Sequence, residues 1–493
     1  FFLGYMEAFQ KEHRDVRDRR DFFFFVLFLF LSAMFGLVVS NNLLYMYTFW
    51  EITSVCSFLL IGYTESRVAV NNSFKALWMN LLGGAAFAAA IIVMGLTYHS
   101  TALSHLVGLA LAGMPVTVIL ALLLLCGFTK SAMMPFSGWL LGAMVAPTPT
   151  SALLHSSTMV KAGVFLIIKL CPALGNNHAG TMAMFVGGIT FFFASCAAIS
   201  QSDGKKVLAY STISNLGLIV CCAGIGSYEA AWTAIMIVIF HAVAKSLLFL
   251  SVGTAEQQLG SRDIERFDGL FNAMPHLCLC MVIGISGMFL APFGMLISKW
   301  AAMKAFIDAG HPMLLLLLVF GSATTIFYWA KWLGKILSVM NGQERREQGI
   351  TKGEWFTLKT LSWMTIIVCI LFPLISSYGV LPYLRITYGF TRDVIAQSNL
   401  IIMSLMVVLL VILPSRYGKG QPKRKVGALL AGVNMGDDRN YHGAGDNIIP
   451  VELRNWYMEE WFGEKKMKLS GFALCMACIF IQFAIILGGV YRG

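Results

Sequence analysis

The sequence predicts an all-α polytopic membrane protein. Hydrophobic residues make up 58% of its 493 residues and charged residues only 12%, and the mean hydropathy is +0.73. Apolar runs close to the roughly 20 residues that a bilayer-spanning helix needs recur along the chain. Lysines and arginines gather in the segments between those runs, as the positive-inside rule describes. The net charge of +11 therefore indicates membrane orientation rather than binding to nucleic acid.

Thirteen apolar segments are candidate membrane spans. They cover residues 22–40, 43–62, 77–97, 115–134, 150–171, 179–200, 206–226, 228–250, 274–298, 312–334, 356–377, 398–413 and 469–490. Residues 135–149 are expected to form a second, short half of the fourth span, so that 115–149 is one broken helix.

The polar segments predict how the spans are oriented. If residues 1–21 form a cytoplasmic loop and the spans alternate, 25 lysines and arginines fall on the cytoplasmic side and four on the other. Residues 414–468 then also face the cytoplasm of a prokaryotic inner membrane. That segment begins as a loop rich in glycine and basic residues, and its Trp456, Tyr457 and Trp461 are expected to be interfacial anchors. The chain begins without methionine, and we expect further N-terminal residues.

Ionisable side chains recur inside the predicted spans. A lysine at the bilayer centre costs roughly 2.5–3.5 kcal/mol on insertion scales, so such a residue indicates a functional site. The row consists of Glu51, Lys130, His155, Lys161, His241, Lys245 and Lys299. A desolvated lysine loses its proton more readily and histidine titrates near neutral pH, so the row predicts a proton path. The alternatives are a neutral hydrogen-bonded Glu51, a snorkelling Lys130 and a structural His155.

Spacing predicts the local geometry of this row. Prolines remove backbone donors and mark the expected helix breaks, which are Pro135, Pro147, Pro149 and Pro292. Lys130 precedes the first of them and is expected where a helix ends. His241 and Lys245 are four residues apart and share one helical face. His155 and Lys161 are six apart in one predicted span, so we expect them to touch different neighbours.

Catalytic and metal-binding patterns are missing from the sequence. Most of the eleven cysteines lie in apolar spans, and the C-x-x-C of Cys475 and Cys478 has no second pair in a polar loop. We interpret them as structural thiols. The sequence shows no nucleotide-binding loop and no nucleophile with its base. We therefore expect no metal and no cofactor in this chain.

Several motifs around these charges carry a family resemblance. They are W-E at Glu51, T-K-S-A-x-x-P-F-x-x-W around Lys130, A-P-T-P-T-S-A-L-L-H-S-S-T-M-V-K-A-G-V through Lys161 and F-H-A-V-A-K-S-L-L-F-L at His241. The chain resembles the antiporter-like subunits of respiratory complex I, of membrane-bound [NiFe] hydrogenases and of Mrp-type cation/proton antiporters. Such subunits have three further spans before the basic loop with which this chain begins.

The resemblance implies a fold of two inverted five-helix repeats with flanking helices. The expected units are the first repeat within 22–200, the second repeat at 201–340 with its broken helix at 274–299, the C-terminal spans 341–413 and the last span 469–493. The broken helices would carry Lys130 and Lys299.

The resemblance also implies roles for the charged residues. Glu51 would pair with Lys130, and Lys161 would be the central proton station, reached through His155. His241 and Lys245 would connect Lys161 to Lys299.

Two positions favour one branch of the family. Leu141 and Gly142 stand where quinone-linked members typically have Pro-Asp. Lys161 stands at a position where the largest complex I homologue usually has no lysine. Both features resemble energy-converting (Ech-type) hydrogenases. The sequence thus favours a proton-translocating subunit of such a redox-driven pump. Partner membrane and peripheral subunits would hold its nickel–iron and iron–sulfur centres.

Two alternatives remain. One is a subunit of an Mrp-type antiporter, which exchanges Na⁺ for H⁺ and uses no redox enzyme. We rank it second because such subunits usually carry a longer C-terminal extension than this chain shows. The other is a proton-pumping subunit of complex I. Whether the chain is part of an oxidoreductase therefore stays open.

Overall fold

The computed structural model describes residues 1–13, 16–175, 177–290, 292–338, 346–390, 392–417, 433–434, 440–443, 445, 447–450 and 455–490. The described chain is mostly helical, which confirms the predicted fold class. The first half contains α1 Phe2–Glu12, α2 Arg20–Val39, α3 Leu43–Ile61, α4 Arg67–Tyr98, α5 Leu103–Leu111, α6 Thr117–Lys130, α7 Gly138–Gly142, α8 Thr148–Ser156, α9 Met159–Leu174, α10 His178–Ile199 and α11 Gly204–Ile225.

The second half contains α12 Tyr228–Leu259, α13 Leu270–Ala273, α14 Pro275–Phe289, α15 Gly294–Asp308, α16 Pro312–Leu337, α17 Lys352–Ile370, α18 Phe372–Leu374, α19 Leu381–Tyr388, α20 Gln397–Tyr417, α21 Glu459–Phe462 and α22 Glu464–Val490. A π-helical turn, Ile375–Val380, joins α18 to α19.

Each predicted span is helical, although 150–171 and 274–298 each cover two helices, and the count of thirteen is not confirmed. Within the described residues, ten helices are long and apolar enough to cross a membrane. An eleventh is added if α17 and the helical stretch Phe372–Tyr388, bent by 64° against it, form one span. The other two predicted spans correspond to the shorter apolar helices Thr117–Lys130 and Gln397–Leu410.

Side-chain caps explain where several long helices begin. Ser66, Asn177, Asp203 and Ser227 each accept a hydrogen bond from a backbone N–H in the first turn of α4, α10, α11 and α12. Such caps satisfy donors that a helix start leaves without a partner. Thr351 and Glu354 make a full capping box at α17. At these helices, the polar residue before the apolar run thus fixes the first turn.

Helices α10 and α11 approach each other with backbone against backbone. A Cβ atom at Gly217 would lie 2.7 Å from the carbonyl oxygen of Gly187 and from the amide nitrogen of Phe191. A Cβ at Gly224 would lie 2.6 Å from the amide nitrogen of Met184. Small residues at these positions permit the close contact, as in many membrane helix pairs.

Ion pairs collect at one end of the bundle, which we call the basic face. There Lys205 contacts Glu256 at 2.7 Å and Arg262 contacts Asp203 at 2.6 Å. The segments that carry these residues and α1 were predicted to lie on one side. The structure brings them together, while the assignment of this side to the cytoplasm stays a prediction.

The loops predicted for the other side also meet one another. The side chain of Asn42 donates to Thr101 at 2.9 Å, and the Tyr388 hydroxyl donates to the Gly226 carbonyl at 3.1 Å. These contacts lie at the end of the bundle opposite the basic face, as the alternation of spans requires.

Residues 1–21, predicted as a loop, and the polar segment 414–468 both contain regular structure. Residues 1–21 include the helix α1, whose Tyr5, Met6 and Phe9 are buried. The segment 414–468 contains a small antiparallel sheet, with strands β1 Val433–Asn434, β2 Asn440–His442 and β3 Ile448–Pro450. Its glycine-rich and basic beginning, residues 418–425, lies outside the described residues.

Candidate functional site

Lys130 lies where α6 ends, as the sequence predicts. Its side chain is fully buried. The ammonium donates to the backbone carbonyl of Trp50 at 3.0 Å and to Ser54 Oγ at 2.8 Å, both on α3. It also lies 5.1 Å from the centre of the Trp50 ring, a cation–π contact. Two oxygens and an aromatic face thus replace the water that this charge loses.

Glu51 lies beside this lysine without a direct ion pair to it. Its carboxylate faces α4, where a Cβ atom at Gly84 would collide with Oε1. Oε1 is buried and has no hydrogen-bond partner among the described residues. The direct pairing of Glu51 with Lys130 implied by the resemblance is therefore not seen, because Lys130 is directed at the carbonyl and hydroxyl of α3.

Trp139 connects the first helix break with His155. Its indole N–H donates to the carbonyl of Thr129 at 2.9 Å, and its ring centre is 6.2 Å from that of His155. Phe249 of α12 lies on the histidine as well, at 6.1 Å. Both ring nitrogens of His155 are buried without a hydrogen-bond partner in the described part of the chain. Buried polar atoms of this kind are normally satisfied by water.

Lys161 and His241 form a direct contact in the middle of the bundle. Lys161 Nζ and His241 Nδ1 are 2.9 Å apart. The sequence predicts His155 and Lys161 in one span. In the structure the helix is interrupted between Ser156 and Met159, so the two residues lie on separate helices, α8 and α9. They do touch different neighbours, as expected, but the break sets their orientations and the six-residue spacing does not.

Lys245 is held by α11 and α16. Its ammonium donates to the carbonyl of Leu208 at 3.0 Å and to Ser211 Oγ, and it lies 5.0 Å from the centre of the Trp329 ring. His241 and Lys245 both point into the bundle from α12. They contact different helices, α9 and α11, which pack against each other.

Lys299 follows the second predicted break. Helix α14 ends at Phe289 and α15 begins at Gly294, with Pro292 between them. Lys299 is buried in the second turn of α15, and its ammonium lies 5.6 Å from the centre of the Phe191 ring. The break is where the prolines predict it, but the lysine lies beyond the break rather than at a helix end.

Hydroxyl groups that the sequence reading missed lie between Lys245 and Lys299. Ser195 and Ser214 are 2.6 Å apart, and Ser195 also approaches Thr325 at 3.4 Å. Ser214 lies one helical turn after Ser211, the partner of Lys245. Isolated serines in apolar spans give no periodic signal, so only the packing of α10, α11 and α16 shows this connection.

A separate ionic cluster lies at the basic face around Glu265. Its carboxylate accepts from Lys335 at 2.6 Å, from the Tyr457 hydroxyl at 2.5 Å and from the Asn455 amide at 3.1 Å. Burial alone would raise the pKa of Glu265, but the hydrogen bonds from Lys335 and Tyr457 outweigh it and hold this pKa below its ordinary value. Tyr457, which the sequence predicts to be an interfacial anchor, is hydrogen-bonded to the bundle through Glu265; its place at the membrane interface stays a prediction.

Metal-binding geometry is not found in the described residues. They contain no group of three or more His, Cys, Asp or Glu side chains that could hold an ion. All eleven cysteines are free, and Cys475 and Cys478 lie in α22.

Comparisons with known proteins place these residues in a family. The family described as "NADH:quinone oxidoreductase/Mrp antiporter, TM" matches residues 40–325, a range that contains all seven candidate site residues. The putative antiporter subunit mnhA2 of Staphylococcus epidermidis is 37% identical over 309 residues, which are 58% of this chain and 38% of that protein. The Na(+)/H(+) antiporter subunit A1 of Staphylococcus aureus is 34% identical over 352 residues, 66% of this chain and 44% of that protein. This chain thus spans about two fifths of these relatives.

Solved structures show the same likeness. A chain of the Mrp complex from Dietzia sp. aligns with a TM-score of 0.69 and 28% identity, covering 80% of this chain and 45% of that one. A chain of the archaeal membrane-bound sulfane sulfur reductase aligns with a TM-score of 0.65 and 23% identity, covering 78% and 77%. The second likeness shows the fold alone. The chain belongs to the NADH:quinone oxidoreductase/Mrp antiporter transmembrane family.

Proposed function

We propose that the chain is an ion-translocating, antiporter-like subunit of a multisubunit Mrp-type cation/proton antiporter. The observation that carries this proposal is the contact of Lys161 with His241, in the middle of a buried row of titratable groups. The similar proteins named as antiporter subunits support the Mrp assignment. Relative to the sequence analysis, the ranking of Mrp antiporter and energy-converting hydrogenase is therefore reversed.

The contact between Lys161 and His241 suits a proton relay. A lysine and a histidine at 2.9 Å share one proton readily, because two positive charges 4 Å apart repel by about 4 kcal/mol at an effective dielectric constant of about 20. A proton that arrives on Lys161 therefore favours a neutral His241. The shared proton can pass along α12 toward Lys245 only when Lys245 is neutral.

The repulsion between two neighbouring cations is large enough to move a charge against a membrane potential. Moving one charge across about 100 mV costs about 2.3 kcal/mol, which is smaller than the repulsion between two neighbouring cations. Sequential charging of Lys130, Lys161, Lys245 and Lys299 would thus couple an ion gradient to proton movement. Glu51, half-buried beside Lys130, would change the charge balance of the first station.

The test is the Lys161→Ala variant, in the intact complex reconstituted into vesicles. We expect normal assembly and at least a hundredfold loss of Na⁺-dependent proton movement, of the order that removing a relay group produces. Lys169→Ala is the matched control, since Lys169 lies on the same helix, half-buried over Tyr383 and Phe165. It should keep transport. Full transport by Lys161→Ala would overturn the proposal.

The energy-converting hydrogenase is the second candidate, favoured by Leu141 and Gly142 after Trp139. The length of the chain does not argue against an Mrp subunit, because the chain spans only part of the relatives. Purification in mild detergent with mass spectrometry separates the two. Multispan partners without metal support the antiporter; a copurifying nickel–iron and iron–sulfur pair would support the hydrogenase. In both cases we expect further membrane subunits and a cytoplasmic basic face.

A further inference from the structure

Three lysines from distant parts of the chain meet at the basic face, and we call them the lysine cluster. Lys75, Lys206 and Lys468 lie near the starts of α4, α11 and α22. Lys468 interacts electrostatically with the other two lysines and with Glu464. None of the three ammonium groups forms an ion pair within the described residues. The Glu464 carboxylate accepts a hydrogen bond from the Tyr210 hydroxyl at 2.7 Å.

The positive charge of this cluster exceeds the negative charge that the protein places beside it. Its three ammonium groups share one carboxylate, and in the adjoining turns Lys465 and Lys466 offset Glu459 and Glu460. The positive-inside distribution accounts for lysines on this side of the membrane. It does not account for their convergence from three helices, because like charges repel one another. An anion between the three ammonium groups would remove this repulsion.

Exposed apolar side chains continue from the lysine cluster toward the middle of the bilayer. Helices α4 and α22 both run inward from the basic face. Trp78 is one turn after Lys75 and is 74% exposed, and Leu469 follows Lys468 and is 70% exposed. The ammonium of Lys468 lies 5.7 Å from the centre of the Phe472 ring, one turn further on. Each helix thus presents a cation at the level of the lipid headgroups and an apolar surface at the level of the acyl chains.

The break of the first broken helix, residues 131–137, lies between these two apolar surfaces. A Cβ atom at Gly138, the first residue of α7, would lie 3.0 Å from Nζ of Lys75. On the other side, a Cβ atom at Gly471 of α22 would collide with Sδ of Met134. Helices α4 and α22 therefore flank the break, and the break forms the floor of a groove that the lysine cluster covers at its outer end.

We propose that the lysine cluster binds the phosphate headgroup of an anionic phospholipid from the leaflet at the basic face. The phosphate oxygens accept hydrogen bonds from the ammonium groups, and the acyl chains lie along Trp78 and Leu469. A phospholipid fits this groove better than an acidic protein segment, because the surface changes from cationic to apolar within one turn on both helices. The site goes beyond the proposed function, since it does not depend on which ion the chain moves.

The test is photolabelling by lipid, which needs neither a variant nor a transport assay. The intact complex is reconstituted into phosphatidylcholine vesicles that contain a trace of phosphatidylglycerol or phosphatidylcholine with a diazirine in its acyl chain. Mass spectrometry locates the labelled peptides. Each lysine near an anionic lipid contributes about a fivefold gain in affinity. We therefore expect phosphatidylglycerol to label the peptides of Trp78 and Leu469 at least about tenfold more than phosphatidylcholine does.

Glutamine variants assign the preference to the lysine cluster. Lys468→Gln should lower the preference for phosphatidylglycerol about fivefold, since it removes one of the three charges. Replacement of all three lysines by glutamine should abolish the preference. The matched control replaces Lys11, Lys304 and Lys352 by glutamine, because these lysines are exposed and lie outside the cluster. It removes the same charge and should leave the preference unchanged.

Three outcomes would overturn the proposal. The first is equal labelling of the two peptides by the two lipids. The second is a preference that survives replacement of the whole cluster, which would assign the headgroup to other residues. The third is a carbodiimide crosslink from Lys468 to an acidic segment of another subunit in place of lipid labelling. None of these outcomes bears on the result expected for Lys161→Ala, so the two proposals fail separately.

Discussion

The two broken helices hold their lysines in different ways. Lys130 ends its helix, donates two hydrogen bonds to α3 and lies beside the carboxylate of Glu51. Lys299 lies inside α15, over the ring of Phe191, and makes no hydrogen bond within the described residues. The first lysine is therefore fixed by polar partners on a neighbouring helix, and the second is held mainly by packing.

This difference shows that similar breaks do not give equal sites. Lys130 ends α6 against α3, which supplies a carbonyl and a hydroxyl oxygen to its ammonium. Around Lys299, the neighbouring helix α10 supplies the ring of Phe191 instead. In the second half, Glu256 and Glu265 lie instead at the basic face, where they pair with Lys205 and Lys335.

Replacement of Lys130 or Lys299 by methionine should give the largest difference in the free energy of unfolding. Lys130→Met should lower the free energy of unfolding by about 3 kcal/mol, because it leaves Ser54, the Trp50 carbonyl and Glu51 without a cation. Lys299→Met should change it by less than about 1 kcal/mol, since a cation–π contact is lost and an apolar side chain of similar volume remains. Thermal or denaturant unfolding of the purified protein measures both. Equal losses would mean that the two sites are held alike.

Two glycine variants on α4 test how the first half holds Glu51 beside Lys130. Gly84→Ala puts a methyl group against the Glu51 carboxylate and should cost about 1–3 kcal/mol of stability. Gly95→Ala on the same helix meets nothing within 4 Å and should be neutral or slightly stabilising, by up to about 1 kcal/mol. Unfolding measurements on the two variants test whether Glu51 is held between α3 and α4. Equal stability would place its carboxylate elsewhere.

The smallest expected effect concerns the carboxylates at the basic face. The pKa of Glu265 is held below its ordinary value, so its contacts stabilise the docked Asn455–Tyr457 segment at every pH above about 4.3, the pKa of a free glutamate. That contribution is lost only as the pH falls through the lower pKa of the folded protein. Hydrogen exchange of Asn455 should therefore not change between pH 5 and 8 after correction for intrinsic rates. Loosening within that range would contradict the assignment.

Several features of the site follow from sequence alone, and others do not. Lys130 at a helix end and the break at Pro292 were predictable because proline and buried charge act locally. The interruption after Ser156 was missed, because Ser-Ser-Thr contains no proline or glycine. The contact between Lys161 and His241 joins residues 80 positions apart, which helical periodicity does not relate. The ion pairs of the basic face likewise depend on which loops meet.

The close backbone contact of α10 and α11 has a mechanical consequence. Sliding one helix along the other by a single residue, about 1.5 Å, would bring side chains to positions where only Gly187, Gly217 and Gly224 fit. We therefore expect this pair to resist sliding. It carries the Phe191 ring beneath Lys299 and the Leu208 and Ser211 oxygens around Lys245, so it fixes the positions of these partners relative to one another.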